Sequence, residues 1–242
     1  MRTIIIILFL FFRLISSAQK ESPIVTDRPD QSDGGYVLPK SLVQLENGIL
    51  FNYEGVINNF MMRYGWSRNS EIRMALDFGK INSQFSLLPV QFSIKQKLLN
   101  QKGTLPTITL IGYLSLGHLA SKNVYDPKTE RSLLLAFQHE LSDKMGIECN
   151  FGSQSFKNDL RFTFLYSFKV LNNVTAFIEY FSDYEKSIKT YHNADIGILF
   201  TVTNDFHVDI GFGGALHSTY KSTFLTFGAS HRFQTTNIKL IK

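Results

Sequence analysis

The stretch DLRFTFLYSFK, residues 159–169, reads in twos. Leu160, Phe162, Phe164, Tyr166 and Phe168 share one parity, and Asp159, Arg161, Thr163, Ser167 and Lys169 share the other. Successive side chains of an extended chain point to opposite faces, so this is a strand with one aromatic face and one polar face. A helix would need its apolar residues three and four apart.

The alternation recurs over residues 43–54, 60–67, 71–78, 90–95, 107–116, 132–141, 144–151, 174–180, 194–202, 206–213 and 225–233. In the first of these, Val43, Leu45, Ile49, Phe51 and Tyr53 oppose Gln44, Glu46, Gly48, Asn52 and Glu54. Phe177 breaks the parity of its strand. Together these make twelve candidate strands within residues 41–233.

Soluble sandwiches alternate as well, but they bury the apolar face and charge the outer one. Here the polar face is mostly Gly, Ser, Thr and Gln with isolated charges of both signs. That suits a crowded wet lumen, with the aromatic face toward lipid. An Arg or Lys facing lipid at mid-depth costs about 2–4 kcal/mol, and every strand can keep its charges off that side. The even count, and about 16 residues for each strand with its turn, fit tilted spanning strands. The expected fold class is all-β: an antiparallel transmembrane β-barrel of about 12 strands with a short irregular N-terminal segment.

Composition agrees. The chain has 242 residues, 22 of them Phe, yet beyond its start it has no apolar run of the roughly 18 residues that a spanning helix needs. Residues 1–18 read as a secretory signal peptide. Arg2 precedes nine apolar residues, Ile4 to Phe12, and Ser16 and Ala18 fit a cleavage site after Ala18. Arg13 and the small residues count against an uncleaved anchor. Export followed by a barrel places the protein in the Gram-negative outer membrane. The net charge of +5 is small and its sources are interspersed with acids, so no nucleic-acid footprint is present. Cys149 is the single cysteine, so no internal disulfide can staple the fold.

With the N-terminus in the periplasm, connections after even strands should be tight. Ser142–Asp143, Asn172–Asn173 and Asn204–Asp205 fall there and have turn chemistry. The long connection Ala120–Glu130 falls outside. LNQKGTLP, residues 99–106, is long for its periplasmic position.

Before the barrel stands TDRPDQSDGGYVLPK, residues 26–40, with no strand or helix period. TDRPDQSD, YVLPK and VQLENG in succession resemble the start of a family of outer-membrane barrels common in Bacteroidota. These are called transporters, or proteins of the phenol-degradation meta-pathway (MetA) type. DIGILFTVTNDFHVDIGFGGAL, residues 195–216, resembles that family's penultimate hairpin. The resemblance covers most of residues 25–233 and implies a porin-like outer-membrane transporter. Two departures are Gly34–Gly35, where many relatives have Ser-Pro, and the tail of residues 234–242 after Phe233.

No HExxH or GxSxG occurs among the six histidines and their neighbours, and GFGG at 211–214 opens no helix. No metal spacing and no cofactor motif stands out, and no enzyme activity is expected. The chemistry then lies in the lumen. Its candidate charges on the early strands are Glu46, Arg63, Arg73 and Asp77. On the later strands they are Glu140, Glu148, Arg161, Lys169, Glu179, Asp195 and Asp209. They either pair across strands and fill the bore or line a solute path.

The N-terminal segment, residues 19–40, is expected to fold back against the periplasmic mouth, or a short way into it. There Asp27, Arg28, Asp30 and Asp33 would act as a plug or gate. Arg28 would meet a carboxylate such as Glu46, the aspartates would meet lumen arginines, and Gly34–Gly35 would permit a sharp turn. The expected function is passage of a small solute, hydrophobic or aromatic ones included. Outer-membrane lipid and the barrel-assembly machinery are the other partners, and the oligomeric state is open. The alternative is a non-transporting barrel that binds through its outer loops, with Ala120–Glu130 leading.

Overall fold

A computed structural model describes residues 22–123, 128–153, 159–185, 190–217 and 223–235. The signal-peptide residues 1–18, residues 236–242 of the tail and residues 124–127 of the long connection lie outside the described residues.

Among the described residues, thirteen strands run in sequence order. The first five are β1 Leu42–Asn52, β2 Gly55–Gly65, β3 Ser70–Ile81, β4 Gln84–Leu87 and β5 Val90–Leu99. Next come β6 Thr107–Leu116, β7 Thr129–Ser142, β8 Met145–Ser153 and β9 Asp159–Leu171. The last are β10 Val174–Glu185, β11 Tyr191–Thr203, β12 Phe206–Ala215 and β13 Phe224–Gln234. Neighbours pair antiparallel, β1 pairs with β13, and β2 with β3, so the sheet closes. Twelve strands make the wall, as the alternation predicts. The thirteenth, β4, is four residues long and folds back on the upper end of β3. Its turn is Asn82–Ser83, both at positive φ, the geometry of a two-residue hairpin.

Both barrel termini and the two-residue turns at 143–144, 172–173 and 204–205 share one end, which is the periplasmic end by the usual asymmetry of such barrels. The connection at 99–106 is long because it forms a miniature turn, with Lys102 bridged to Leu105 and Gly103 at φ +58°. Gln101 ties it to β7, accepting from Glu140 N and donating to Glu140 O. At the opposite end the β6–β7 connection closes on β4. Ser121 exchanges hydrogen bonds with Leu87, and Asn123 donates to Gln84 and Ser86.

The strand faces follow the predicted parity. Phe164, Phe200 and Phe227 lie exposed on the outer face, while Thr163, Thr226 and Ser230 are buried inside. Phe177 breaks the parity because it points inward, where its ring occupies the space left by Gly197, its partner on β11. Inward apolar residues that parity alone passed over also cluster: Ile111, Leu134 and Ala136 pack beside Tyr113.

Facing can be checked on β7. Ser132 lines the lumen cavity and Leu133 is exposed on the outer wall. In a Cys149→Ser background, a polar thiol reagent should label Ser132→Cys, and a lipid-dissolved one Leu133→Cys. The reverse pattern would mean a one-residue register error.

Candidate functional site

The N-terminal segment occupies the lumen well beyond its mouth, where Ser32 meets Thr163 and Glu179. It enters at the periplasmic end, where Ile24 N donates to Asn204 O at 2.8 Å. Arg232 of β13 donates to Ser22 O at 2.9 Å and to Asp205 Oδ1 at 2.8 Å. The chain rises into the barrel, crosses along the inner face of β8–β10, and descends to β1. On the way down Thr109 donates to Gly35 O at 2.7 Å, and Leu38 N donates to Glu71 Oε2 at 2.6 Å.

An ion-pair core pins the rising arm. Asp27 lies 2.7 Å from Arg73 Nη1, 2.8 Å from Lys95 Nζ and 3.3 Å from Arg63 Nη1. Arg63 also forks onto both oxygens of Glu71, at 2.8 and 3.1 Å, and reaches Glu46 at 2.8 Å. Arg73 reaches Asp33 at 2.6 Å and Tyr113 at 2.8 Å, and the Tyr113 hydroxyl also contacts Asp33. Burial alone would raise the Asp27 carboxyl. The charges of Arg63, Lys95 and Arg73 outweigh it and hold the group well below the usual carboxylate range. Charges taken out of water at this depth are stable only when paired and hydrogen-bonded, and each member here has several partners.

At the tip, neutral backbone and hydroxyl donors add to the guanidinium contacts. Gln31 N donates to Glu179 Oε2 at 2.7 Å, and the Ser32 hydroxyl donates to Glu179 Oε1 at 2.5 Å. The same hydroxyl lies 2.6 Å from Thr163 Oγ1. Asp33 and Asn150 exchange backbone–amide bonds at 2.7 and 2.8 Å.

Glycines make the room. Gly48 and Gly228 face each other across β1 and β13, and a Cβ on either would collide with the Arg28 guanidinium. Through that notch Arg28 reaches Thr226 at 2.9 Å and Asp209 at 3.2 Å. Gly48→Val should push Arg28 out of the notch and speed amide exchange of the segment about tenfold, matching loss of one charge-assisted bond of roughly 1.5 kcal/mol. Unchanged exchange would show that the notch does not hold Arg28.

Several expectations need correction. Arg28 meets Asp209, not Glu46, because Arg63 already holds Glu46 from the neighbouring strand. The chain does bend at Gly35, though neither Gly34 nor Gly35 has a positive φ. They are small because Glu148 and Gln138 crowd their Cα atoms. Glu140 and Lys169 have inward parity but sit exposed, within a few residues of periplasmic turns and below the packed lumen. The structure brings Glu46, Arg63, Arg73, Glu179 and Asp209 to the segment, and Glu148 beside Gly34. Asp195 lies buried directly across from Glu179. Arg161 donates to Gln31 O at 3.1 Å, and Asp77 lines a cavity above the tip. Glu71, Lys95 and Arg232 were not among the candidate charges. Their inward parity was visible, and only parity could have found them.

Above the tip the lumen opens into a vestibule of about 460 Å³ facing the long-loop end. Its floor is Asp30 to Asp33, and its wall includes Asp77, Tyr113, Arg131, Leu134 and Arg161. Below it the packed charges exclude solvent: Arg63, Lys95, Glu46 and Glu71 are all 0% exposed.

A closed barrel with an aromatic exterior and a charged, partly filled bore defines an outer-membrane barrel of the porin-like class. The chain matches the family described as "Putative MetA-pathway of phenol degradation" over residues 26–233 and belongs to it. Among solved structures it is similar to an outer membrane channel from Pseudomonas putida F1, with TM-score 0.63 and 10% identity over 85% of this chain and 100% of that one. It is also similar to the KdgM porin, with TM-score 0.60 and 9% identity over 79% and 99% of the two chains. The NanC porin gives TM-score 0.58 and 9% identity over 79% and 98%. At such identities the likeness is one of fold. No curated protein matches the sequence.

Proposed function

We propose that this protein is an outer-membrane channel that admits a small solute through its lumen, with the N-terminal segment as an internal plug. The observation that carries the reading is the open vestibule of about 460 Å³ standing on that plug inside a closed barrel. Its volume falls in the range of small-molecule sites, roughly 300–1,000 Å³. Its lining mixes carboxylates, guanidinium groups and a phenol with Leu88, Pro89 and Leu134, which favours a polar or amphipathic solute over a purely hydrophobic one. The filled lower half makes this conformation the closed one, so passage requires the segment to shift.

Membership of the MetA-type family and the likeness in fold to two porins and a channel support the reading. Planar-bilayer recording tests it. Discrete single-channel openings are expected from the purified barrel. A barrel that inserts yet stays silent under all conditions would favour the non-transporting, loop-binding alternative.

A further inference from the structure

The tip of the plug carries a carboxylate into a part of the lumen already rich in them. Asp30 directly precedes Gln31 and Ser32, which both donate to Glu179 of β10, and Gly34 of the same turn lies against Glu148 of β8, so Asp30 stands in a cluster formed by Glu148, Glu179 and Asp195 of β11, the cross-strand partner of Glu179. Glu179 and Asp195 are direct cross-strand partners, 1% and 3% exposed. Glu179 is committed to Gln31 N and Ser32, and neither Asp195 oxygen receives a donor.

The nearby cations are engaged elsewhere. Arg73 and Lys95, from β3 and β5, hold Asp27 and Asp33. Arg28 holds Asp209 of β12, whose other neighbour is His207. Arg161 of β9 sits at the edge of the tip, donating to Gln31 O and lying 3.7 Å from Asp183 of β10. Asp30 therefore rests against acids, fixed through its neighbours' backbone and hydroxyl groups rather than by a cation of its own. Burial, and then the charges of Glu179 and Glu148, push its carboxyl well above the ordinary carboxylate range.

We infer that Asp30 is a proton-operated latch: the tip of the plug stays seated while Asp30 is protonated and lifts into the vestibule when the proton leaves. Seating raises the proton affinity of Asp30, so seating is fully favoured below the ordinary carboxyl value and weakens steadily as pH climbs from there to the raised value. The lifted tip, with an ordinary carboxyl in water, gains by the same amount. The vestibule above Asp30 to Asp33 supplies the space. Acid would then close this channel and alkali open it.

The inference deepens the channel reading, and its test separates the two. Amide exchange of Asp30 to Asp33 is compared between the native protein and Asp30→Asn at matched pH, which cancels the intrinsic pH dependence of exchange. The ratio should be near one at about pH 3, below the ordinary carboxyl value of about 3.9, and reach at least about tenfold by about pH 6, since one pKa unit is one factor of ten. Native conductance should rise over the same interval, and that of Asp30→Asn should stay low. A flat ratio, or an Asn variant that opens as steeply as the native protein, overturns the latch. A rising ratio with no current at any pH upholds the latch and defeats the channel reading. Asp30→Ser provides a second uncharged variant if Asp30→Asn does not fold.

Discussion

Deleting Thr26 to Asp33 should leave a barrel that assembles and conducts several-fold more current than the native protein, with a larger solute cutoff. The deleted residues supply Asp27, the shared anion of Arg63, Arg73 and Lys95, and the tip that caps the lower lumen. The wall does not depend on them, because each of its twelve strands is paired on both sides by backbone hydrogen bonds around a closed sheet. A twelve-stranded bore is wider than the eight-stranded barrels that side chains fill, so removing the segment should leave an aqueous path continuous with the vestibule. Single-channel conductance and liposome swelling with solutes of graded size measure the effect. If the deletion assembles and leaves both unchanged, the segment does not close the bore.

Asp27→Asn should unseat the plug without removing any of it. Lys95 finds its ion-pair partner in Asp27, and Arg63 and Arg73 share the same carboxylate. Removing one side of a buried pair leaves uncompensated charge and costs about 3–5 kcal/mol, enough to shift seating by a factor of roughly a hundred or more. Segment amides should exchange correspondingly faster, and conductance should approach that of the deletion. The double substitution Asp27→Asn with Lys95→Met removes the orphaned ammonium together with its partner, so it should restore much of the seating. If the double variant is as open as the single one, Lys95 is not the charge that matters.

The barrel was legible because lipid and lumen enforce a period of two on every spanning strand. Residues 159–169 alone show which side of the wall each residue meets, and the structure places Thr163 inside and Phe164 outside as read. The strand β4 escaped because four residues hold too few alternations to stand out from a connection. Parity also says nothing of height or of position around the barrel. Glu140 and Lys169 have the inward parity of Glu148 and Arg161 but lie too near the turns to reach the packed bore. Arg28 was expected on Glu46 and meets Asp209, 181 positions away, because closure of β13 on β1 brings β12 beside that notch. The charges of the N-terminal segment pointed to lumen partners. Its depth of insertion depends on spaces such as that between Gly48 and Gly228, which appear only when the strands are set in register.

The central claim is that residues near Ser32 sit inside the bore against β9. A disulfide trap tests it most directly. The Ser32 and Thr163 hydroxyl oxygens are 2.6 Å apart, and both side chains are buried. Ser32→Cys with Thr163→Cys, in a Cys149→Ser background, replaces the two facing hydroxyls with thiols at a separation a disulfide can close. The account predicts that the pair cross-links in the folded, membrane-assembled protein, seen as a changed gel migration that reductant reverses. It also predicts that the oxidised form conducts less than the reduced one. A folded barrel in which the two cysteines stay free under oxidising conditions would contradict a plug at this position.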